Sequence, residues 1–162
     1  MRHHLILFVR APQLGTGKRR LAQDIGDPAA LRFERLMLAL LVRRLGSDKR
    51  WHLRIAVTPT KARHHIRHRY GQIETIGQSR GDLGIRMLRA LIACPPGRVV
   101  LVGARHPRRL AHVFEQVRWS SPHALADTLA GLPRVLTVGI ADRLEDVDDG
   151  ETYRRLVPTR GF

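Results

Sequence analysis

The segment Arg10–Leu21 combines the residue types that bind phosphate groups. It follows the apolar run Leu5–Val9, contains two glycines, and continues into Lys18 and Arg20 where a helix is expected to start. The N–H groups of a glycine loop, the positive end of a helix and cationic side chains all attract an anion. The residues predicted to contact phosphate are Arg10, Gly15, Lys18 and Arg20.

This loop differs from the P-loop of nucleotide-hydrolysing enzymes. Pro12 stands where that motif requires its first glycine, and Arg19 follows the lysine where the motif requires Ser or Thr. The alternative interpretation is a tight turn between a strand and a helix that carries surface arginines.

The elements that would position this loop alternate along the chain. Strands are predicted at 5–9, 51–57, 72–76, 99–103 and 135–138, and helices near 18 and at 29–45, 82–94, 108–116, 120–132 and 147–156. This order predicts an α/β fold in layers around a mostly parallel sheet. Ligands bind such sheets outside the carboxyl ends of the strands, where Arg10–Leu21 would lie.

The long helix at 29–45 has the clearest predicted ends. Asp27 is expected to be its N-cap, Pro28 its first residue and Gly46 its end. Its apolar periodicity predicts buried side chains at Leu31, Met37, Leu38, Leu41, Val42 and Leu45.

Composition restricts the class of protein. The 162 residues suit one domain, with 43% apolar residues and a single cysteine, Cys94, expected in the core. No run of apolar residues approaches the roughly 18 of a membrane span. The first residues have neither the length nor the cleavage site of a signal peptide, so the expectation is a reduced, cytoplasmic protein.

The net charge of +15 raises the question of a nucleic-acid partner. However, 26 of the 29 basic residues are arginines, a bias typical of GC-rich genomes, and only eight aromatic residues are present. No aromatic residues alternate with arginine as base-stacking platforms would. The composition therefore favours a small anionic ligand over nucleic acid.

Several blocks resemble one family in order along nearly the whole chain. They are 8–12 with Gly15, Lys18, Arg20 and Leu21, then 81–84 with Arg86 and Met87, 99–103, 117–125 and 144–149. They resemble small bacterial glycosyltransferase-like proteins that are often encoded with radical-SAM enzymes, the arsenosugar-biosynthesis-type transferases. That family has the nucleotide-diphospho-sugar transferase (GT-A) fold, which nucleotidyltransferases such as the phospholactate guanylyltransferases share.

The resemblance implies a glycosyl transfer from a nucleotide sugar, assisted by Mg²⁺ or Mn²⁺. Lys18 and Arg20 would meet the diphosphate, and Asp82 would lie near the nucleotide. Asp146 and Asp148 would be the candidate metal ligands, because a matching aspartate completes the metal site of related nucleotidyltransferases. The alternatives are an N-cap role for Asp82 and a solvated helix start for the acidic cluster. No catalytic residue is assigned.

The sequence departs from the family pattern in two places. Arg105 stands where the family has a metal-binding aspartate, and a segment of roughly a few tens of family residues is missing between Pro107 and Val117. A homodimer would be one way to cover the surfaces that this loss exposes. The alternatives to a transferase are therefore an inactive relative that binds nucleotides, a nucleotidyltransferase-like enzyme and a basic nucleic-acid-binding protein.

Two further patterns are not assigned chemistry. His64 and His68 are spaced for one face of a helix, but no third zinc ligand accompanies them and flanking arginines would repel a cation. Ser121 and His123 lack an identifiable oxyanion hole, which argues against a hydrolase triad.

Overall fold

The computed structural model describes residues 3–71, 73–95, 98–100, 113–119, 121–134 and 145–157. Their strands are β1 (His3–Arg10), β2 (His52–Thr58), β3 (Glu74–Gly77) and β4 (Arg98–Val100). Their helices are α1 (Arg19–Ile25), α2 (Asp27–Gly46), α3 (Arg63–Tyr70), α4 (Leu83–Ile92), α5 (Ala124–Ala130) and α6 (Gly150–Leu156), and a 3-10 turn at Thr60–Ala62 precedes α3. Among these helices, none has the length and apolar character needed to cross a membrane.

The chain divides into two compact units. Unit 1 comprises Met1–Ala11 and Leu45–Val138, and unit 2 comprises Pro12–Arg44 and Gly139–Phe162. The described strands belong to unit 1, whereas α1, α6 and nearly all of α2 belong to unit 2.

Unit 1 is built on a parallel sheet with the strand order β3-β2-β1-β4. β2 lies inside this sheet, and all five residues of Leu53–Val57 are buried. Continuous burial is characteristic of a parallel strand that is covered on both faces, so only a largely apolar run could form it. The prediction of an α/β fold around a parallel sheet is confirmed.

One face of the sheet packs against α4. Ile6 of β1 and Ala56 of β2 are buried on this face together with Ala90, Leu91, Val113 and Phe114. Cys94 packs against the same cluster, in agreement with its predicted place in the core. This packing fixes α4 across the sheet, with its first residue following the loop after β3.

The same region contains a buried charge that the sequence pattern did not indicate. Arg54 is only 8% exposed, and its Nη2 lies 2.9 Å from Oε2 of Glu74. Its Nη1 also donates to Sγ of Cys94 at 3.7 Å. Burial raises the pKa of the Cys94 thiol, against the opposing effect of the nearby Arg54 charge. The thiol therefore stays protonated at neutral pH.

Unit 2 has its own apolar cluster, formed by Leu21 and Ala22 of α1 with Ala30 and Phe33 of α2. Val147 and Tyr153 pack against this cluster from the other end of the sequence. The rings of Phe33 and Tyr153 meet edge to face with their centroids 5.3 Å apart. These contacts hold the C-terminal segment beside α1.

The predicted details of α2 need two corrections. The carbonyl of Gly26 accepts the first helical hydrogen bond, from Ala30 N at 3.0 Å, so Asp27 lies in the first turn and is not the N-cap. Met37 and Leu41 are 39% and 40% exposed, not buried. The stripe buried on α2 passes instead through Ala30, Phe33, Leu38 and Val42. The predicted helical spacing of apolar residues was correct. Because α2 carries apolar residues on several sides, that spacing does not reveal which side is buried.

Other predicted elements differ in extent. Residues 113–116 form a turn and not the end of a helix, and the helix predicted at 120–132 is confined to Ala124–Ala130. The closing helix starts at Gly150, three residues later than predicted. Residues 101–103 of the fourth predicted strand, and all of 135–138, lie outside the described residues.

Replacement of Gly84 by Ala should destabilise unit 1. A Cβ at Gly84 would lie 2.8 Å from Cβ and 2.9 Å from the backbone oxygen of Phe114, which cannot move without shifting the chain. Overpacking of this kind costs about 1–3 kcal/mol. Urea unfolding would measure the loss, and Ile85→Ala, at an adjacent side chain that is 42% exposed, is the control. Equal stability of the two variants would contradict this packing.

Candidate functional site

Polar side chains of unit 1 meet at the carboxyl ends of β1 and β2. Gln78, just after β3, donates from Nε2 to the carbonyl of Val9 at 3.2 Å and to that of Ala56 at 2.8 Å. One side chain thus connects two strands near their ends. Arg10 is exposed as the last residue of β1, where its guanidinium is accessible to an anion.

Gln78 also holds an arginine at this edge. Its Oε1 accepts from Nη1 of Arg86 at 3.0 Å, and Nε of Arg86 donates to the backbone oxygen of Asp82 at 3.2 Å. The sequence analysis named Arg86 only within a block of resemblance and missed Gln78. The available signal was a polar residue immediately after a strand that ends at the binding edge of the sheet.

Asp82 has a structural role in this arrangement. Its Oδ1 accepts from the backbone N of Ile85 at 2.8 Å, so it is the N-cap of α4. The positive φ of Gly81, +120°, turns the chain into this cap. The structure therefore supports the capping alternative, while the predicted contact with a nucleotide stays a prediction.

In unit 2, the glycine loop leads directly into α1. Gly15 has a φ of +73°, and the backbone N and Oγ1 of Thr16 both donate to the carbonyl of Gln13, at 3.3 and 3.0 Å. Lys18, the N-cap of α1, is left-handed with a φ of 33°. It is the one non-glycine residue with positive φ in the described ranges, and strained positions of this kind cluster at functional sites.

The Lys18 side chain lies between the two predicted metal ligands. Its Nζ is 2.7 Å from Oδ1 of Asp146 and 2.9 Å from Oδ1 of Asp148. Nη2 of Arg20 lies 2.9 Å from the other oxygen of Asp148. We call these four residues the Lys18 cluster. Its formal charges are two positive and two negative, so the cluster is neutral without a ligand.

The backbone around Asp148 is fixed by several contacts within unit 2. Asp149 caps α6 by accepting from the N of Thr152 at 2.8 Å, and the N of Gly150 donates to Oδ2 of Asp24 at 2.7 Å. Val147 packs into the apolar cluster of unit 2, between the exposed Asp146 and the half-buried Asp148. The two carboxylates are therefore presented to Lys18 by an anchored segment.

Lys18 and Asp148 shift each other's pKa. Burial by itself lowers the pKa of Lys18, but the hydrogen bonds and charges of the two aspartates outweigh it and raise that pKa. The hydrogen bond from Lys18 lowers the pKa of Asp148, and the charges of Lys18 and Arg20 lower it further. Lys18 and Asp148 are therefore both charged at neutral pH.

The cluster also bears on the predicted metal. Mg²⁺ is commonly held by one or two carboxylates together with substrate phosphates and water, and Asp146 and Asp148 supply that number. Within the described ranges, no group of three or more His, Cys, Asp or Glu could hold an ion. A divalent cation at these carboxylates would compete with the Lys18 ammonium. The Mg²⁺ or Mn²⁺ prediction therefore stays a prediction.

The structure thus brings together four of the seven predicted site residues. Lys18, Arg20, Asp146 and Asp148 form one cluster although about 130 positions of sequence separate their ends. Arg10 and Asp82 belong to unit 1, and Gly15 lies in the loop before Lys18. Arg105 lies outside the described residues.

A strong pair elsewhere in unit 1 was not predicted. Arg118 donates to both oxygens of Asp127, from Nε to Oδ2 at 2.9 Å and from Nη2 to Oδ1 at 2.8 Å. These hydrogen bonds place the pKa of Asp127 far below its ordinary value. The pair joins the segment before α5 to that helix, so its role is structural.

Comparison with known proteins supports the fold. The chain matches the solved structure of a "putative nucleotide-diphospho-sugar transferase" from Desulfovibrio desulfuricans G20 with a TM-score of 0.68 and 21% sequence identity. The match covers 80% of this chain and 75% of that one. No family model matches the chain, and no curated protein is a significant match. The chain therefore has the nucleotide-diphospho-sugar transferase fold, as the sequence predicted, whereas the arsenosugar-type family stays a prediction.

Substitution of Asp82 should separate its capping role from a contact with ligand. Asp82→Ala should lower the free energy of unfolding by about 1 kcal/mol, because the N of Ile85 loses its acceptor. Asp82→Asn keeps an oxygen acceptor and should stay close to wild type in thermal unfolding. A loss in the Asn variant as large as in the Ala variant would contradict the cap.

Removal of the Lys18 ammonium should raise the pKa of Asp148 toward its ordinary value. Carboxyl-carbon NMR titration would show this in Lys18→Met, with the Asp48 midpoint unchanged as an internal control. Because the folded-state pKa of Asp148 is lowered, its stabilising effect is present above the unfolded-state pKa and is lost in acid. The stability difference between wild type and Lys18→Met should therefore shrink as the pH falls. An unchanged Asp148 midpoint would contradict the Lys18 cluster.

Proposed function

We propose that this protein is a glycosyltransferase-like protein that binds the diphosphate of a nucleotide sugar through Lys18 and Arg20. The observation that carries the proposal is the Lys18 cluster, in which a glycine loop and a strained N-cap hold two cationic groups on anchored carboxylates. The fold supports it, because the chain matches the structure of a protein named as a "putative nucleotide-diphospho-sugar transferase".

Binding would proceed by exchange of ion-pair partners. In the free protein, Asp146 and Asp148 balance Lys18 and Arg20, which keeps the cations in place at little electrostatic cost. Phosphate oxygens would replace part of this pairing, since charge-assisted hydrogen bonds to phosphate are as strong as those to carboxylate. The ligand therefore meets side chains that are already oriented, which reduces the entropy cost of binding.

The same cations would assist transfer. Breaking the bond between the sugar and the diphosphate leaves negative charge on phosphate oxygens, and cations fixed beside them stabilise that charge. Arg20 is the more accessible of the two cations, because its side chain is 73% exposed against 24% for Lys18. A divalent cation held by Asp146 and Asp148 would supply further charge neutralisation.

A second candidate function is nucleotide binding without transfer. It is favoured by Arg105 at the position where the related family has a metal-binding aspartate. The two functions share a binding step and differ in turnover, so they are separated by release of free nucleoside diphosphate from the nucleotide sugar.

Ligand-induced thermal stabilisation tests the binding step. A nucleotide sugar at about 100 times its dissociation constant should stabilise the wild type by roughly 2.7 kcal/mol. A panel of nucleoside diphosphates and nucleotide sugars, with and without Mg²⁺ or Mn²⁺, would identify the ligand. Lys18→Met should lose most of the shift, because it removes a cation and leaves the carboxylates to repel phosphate.

Lys49→Met is the matched control, since it removes one exposed lysine from a position outside the Lys18 cluster. The control should retain the ligand-induced shift. A wild-type protein that no ligand stabilises, or equal shifts in the two variants, would refute the proposed site.

A further inference from the structure

The surface of α3 concentrates positive charge, and α3 itself contains no carboxylate to balance it. Arg63, Arg67 and Arg69 are exposed, and α3 contains three histidines and no acidic residue. In the part of the chain that the structure describes, the side chains of these three arginines make no hydrogen bond or ion pair. Arginines elsewhere, such as Arg20 and Arg118, are held by aspartates. The α3 charges are therefore available to an external anion.

Helical periodicity places these arginines on two sides of the exposed face of α3. Ile66 is the buried residue of α3, which packs against β2 and β3. At about 100° per residue, the exposed side chains then follow one another around the helix in a fixed order. That order is Arg63, Arg67, His64, His68, His65 and Arg69. The histidines form a strip opposite Ile66, which we call the exposed crest, and the arginines lie on either side of it.

We propose that α3 binds in the major groove of double-stranded DNA and pairs its arginines with phosphates on both sides of the groove. The major groove is about 12 Å wide and admits one α-helix. Guanidinium groups bind phosphate oxygens in a bidentate manner, and flanking positions on a helix would direct them toward the two phosphate rows. The exposed crest offers histidine N–H groups at the level of the base edges.

The same features disfavour other polyanions. A bilayer is flat and would engage one side of the helix, whereas the arginines of α3 lie on two sides. Ile66 is buried and Tyr70 half-buried, so α3 exposes no apolar residue for insertion into lipid and no aromatic platform for unpaired bases. A-form RNA has a major groove too narrow for side chains to read.

Fluorescence anisotropy with a labelled 20-base-pair DNA duplex tests the proposal. Each phosphate contact contributes about 0.9 to the slope of log affinity against log salt, so three contacts weaken wild-type binding about 40-fold between 50 and 200 mM salt. The triple variant Arg63→Gln, Arg67→Gln, Arg69→Gln should lose this component of the slope. The corresponding triple lysine variant keeps the charge and should retain most of the affinity.

The matched control removes three exposed arginines from α2, as Arg32→Gln, Arg35→Gln and Arg44→Gln. This control changes net charge equally and should leave most of the slope intact. Thermal unfolding confirms that each variant is folded. Equal weakening by both glutamine variants, no duplex binding at 50 mM salt, or an α3-dependent binding of acidic-lipid vesicles in place of the duplex would overturn the proposal.

Discussion

The pairing of the Lys18 ammonium with Asp146 and Asp148 is the interaction on which the candidate site of unit 2 depends. It joins the N-cap of α1 to the segment before α6, across about 130 positions of sequence. Ion pairs among these three partly exposed side chains would contribute little to stability if the side chains were free to move. Here the segment that carries the aspartates is anchored by Val147 and by the cap of α6, so the charges are held in place by packing that they do not themselves provide.

This arrangement explains how one set of residues could serve both stability and ligand binding. A cationic pair without counter-charges would destabilise the N-terminal end of α1, where the helix dipole is already positive. The aspartates remove that penalty in the absence of ligand, and a phosphate group could take over their part. On the proposed function, the cost of binding would be the difference between two ion pairings and not the full desolvation of a lysine.

Unit 1 illustrates a different use of polar groups at a strand edge. The amide nitrogen of Gln78 donates to carbonyls near the ends of β1 and β2. The amide oxygen of the same side chain accepts from Arg86 and so fixes that cation at the edge of the sheet. Asp82 likewise caps α4 through its side chain while its carbonyl accepts from Arg86. Gln78 and Asp82 therefore hold this edge of unit 1 together through hydrogen bonds within the protein.

The sequence by itself determined the class of fold, and it predicted an anion-binding role for the loop. Apolar strands such as Leu53–Val57 and the break at the glycine loop are local features, and local features can be read from composition and period. The buried side of α2, the pairing of Arg54 with Glu74 and the bridge made by Gln78 were decided only by the tertiary structure. Each depends on which distant residues come into contact, and apolar periodicity does not encode that. The Lys18 cluster lies between these cases: its members were named from the sequence, but only folding places the lysine on the aspartates.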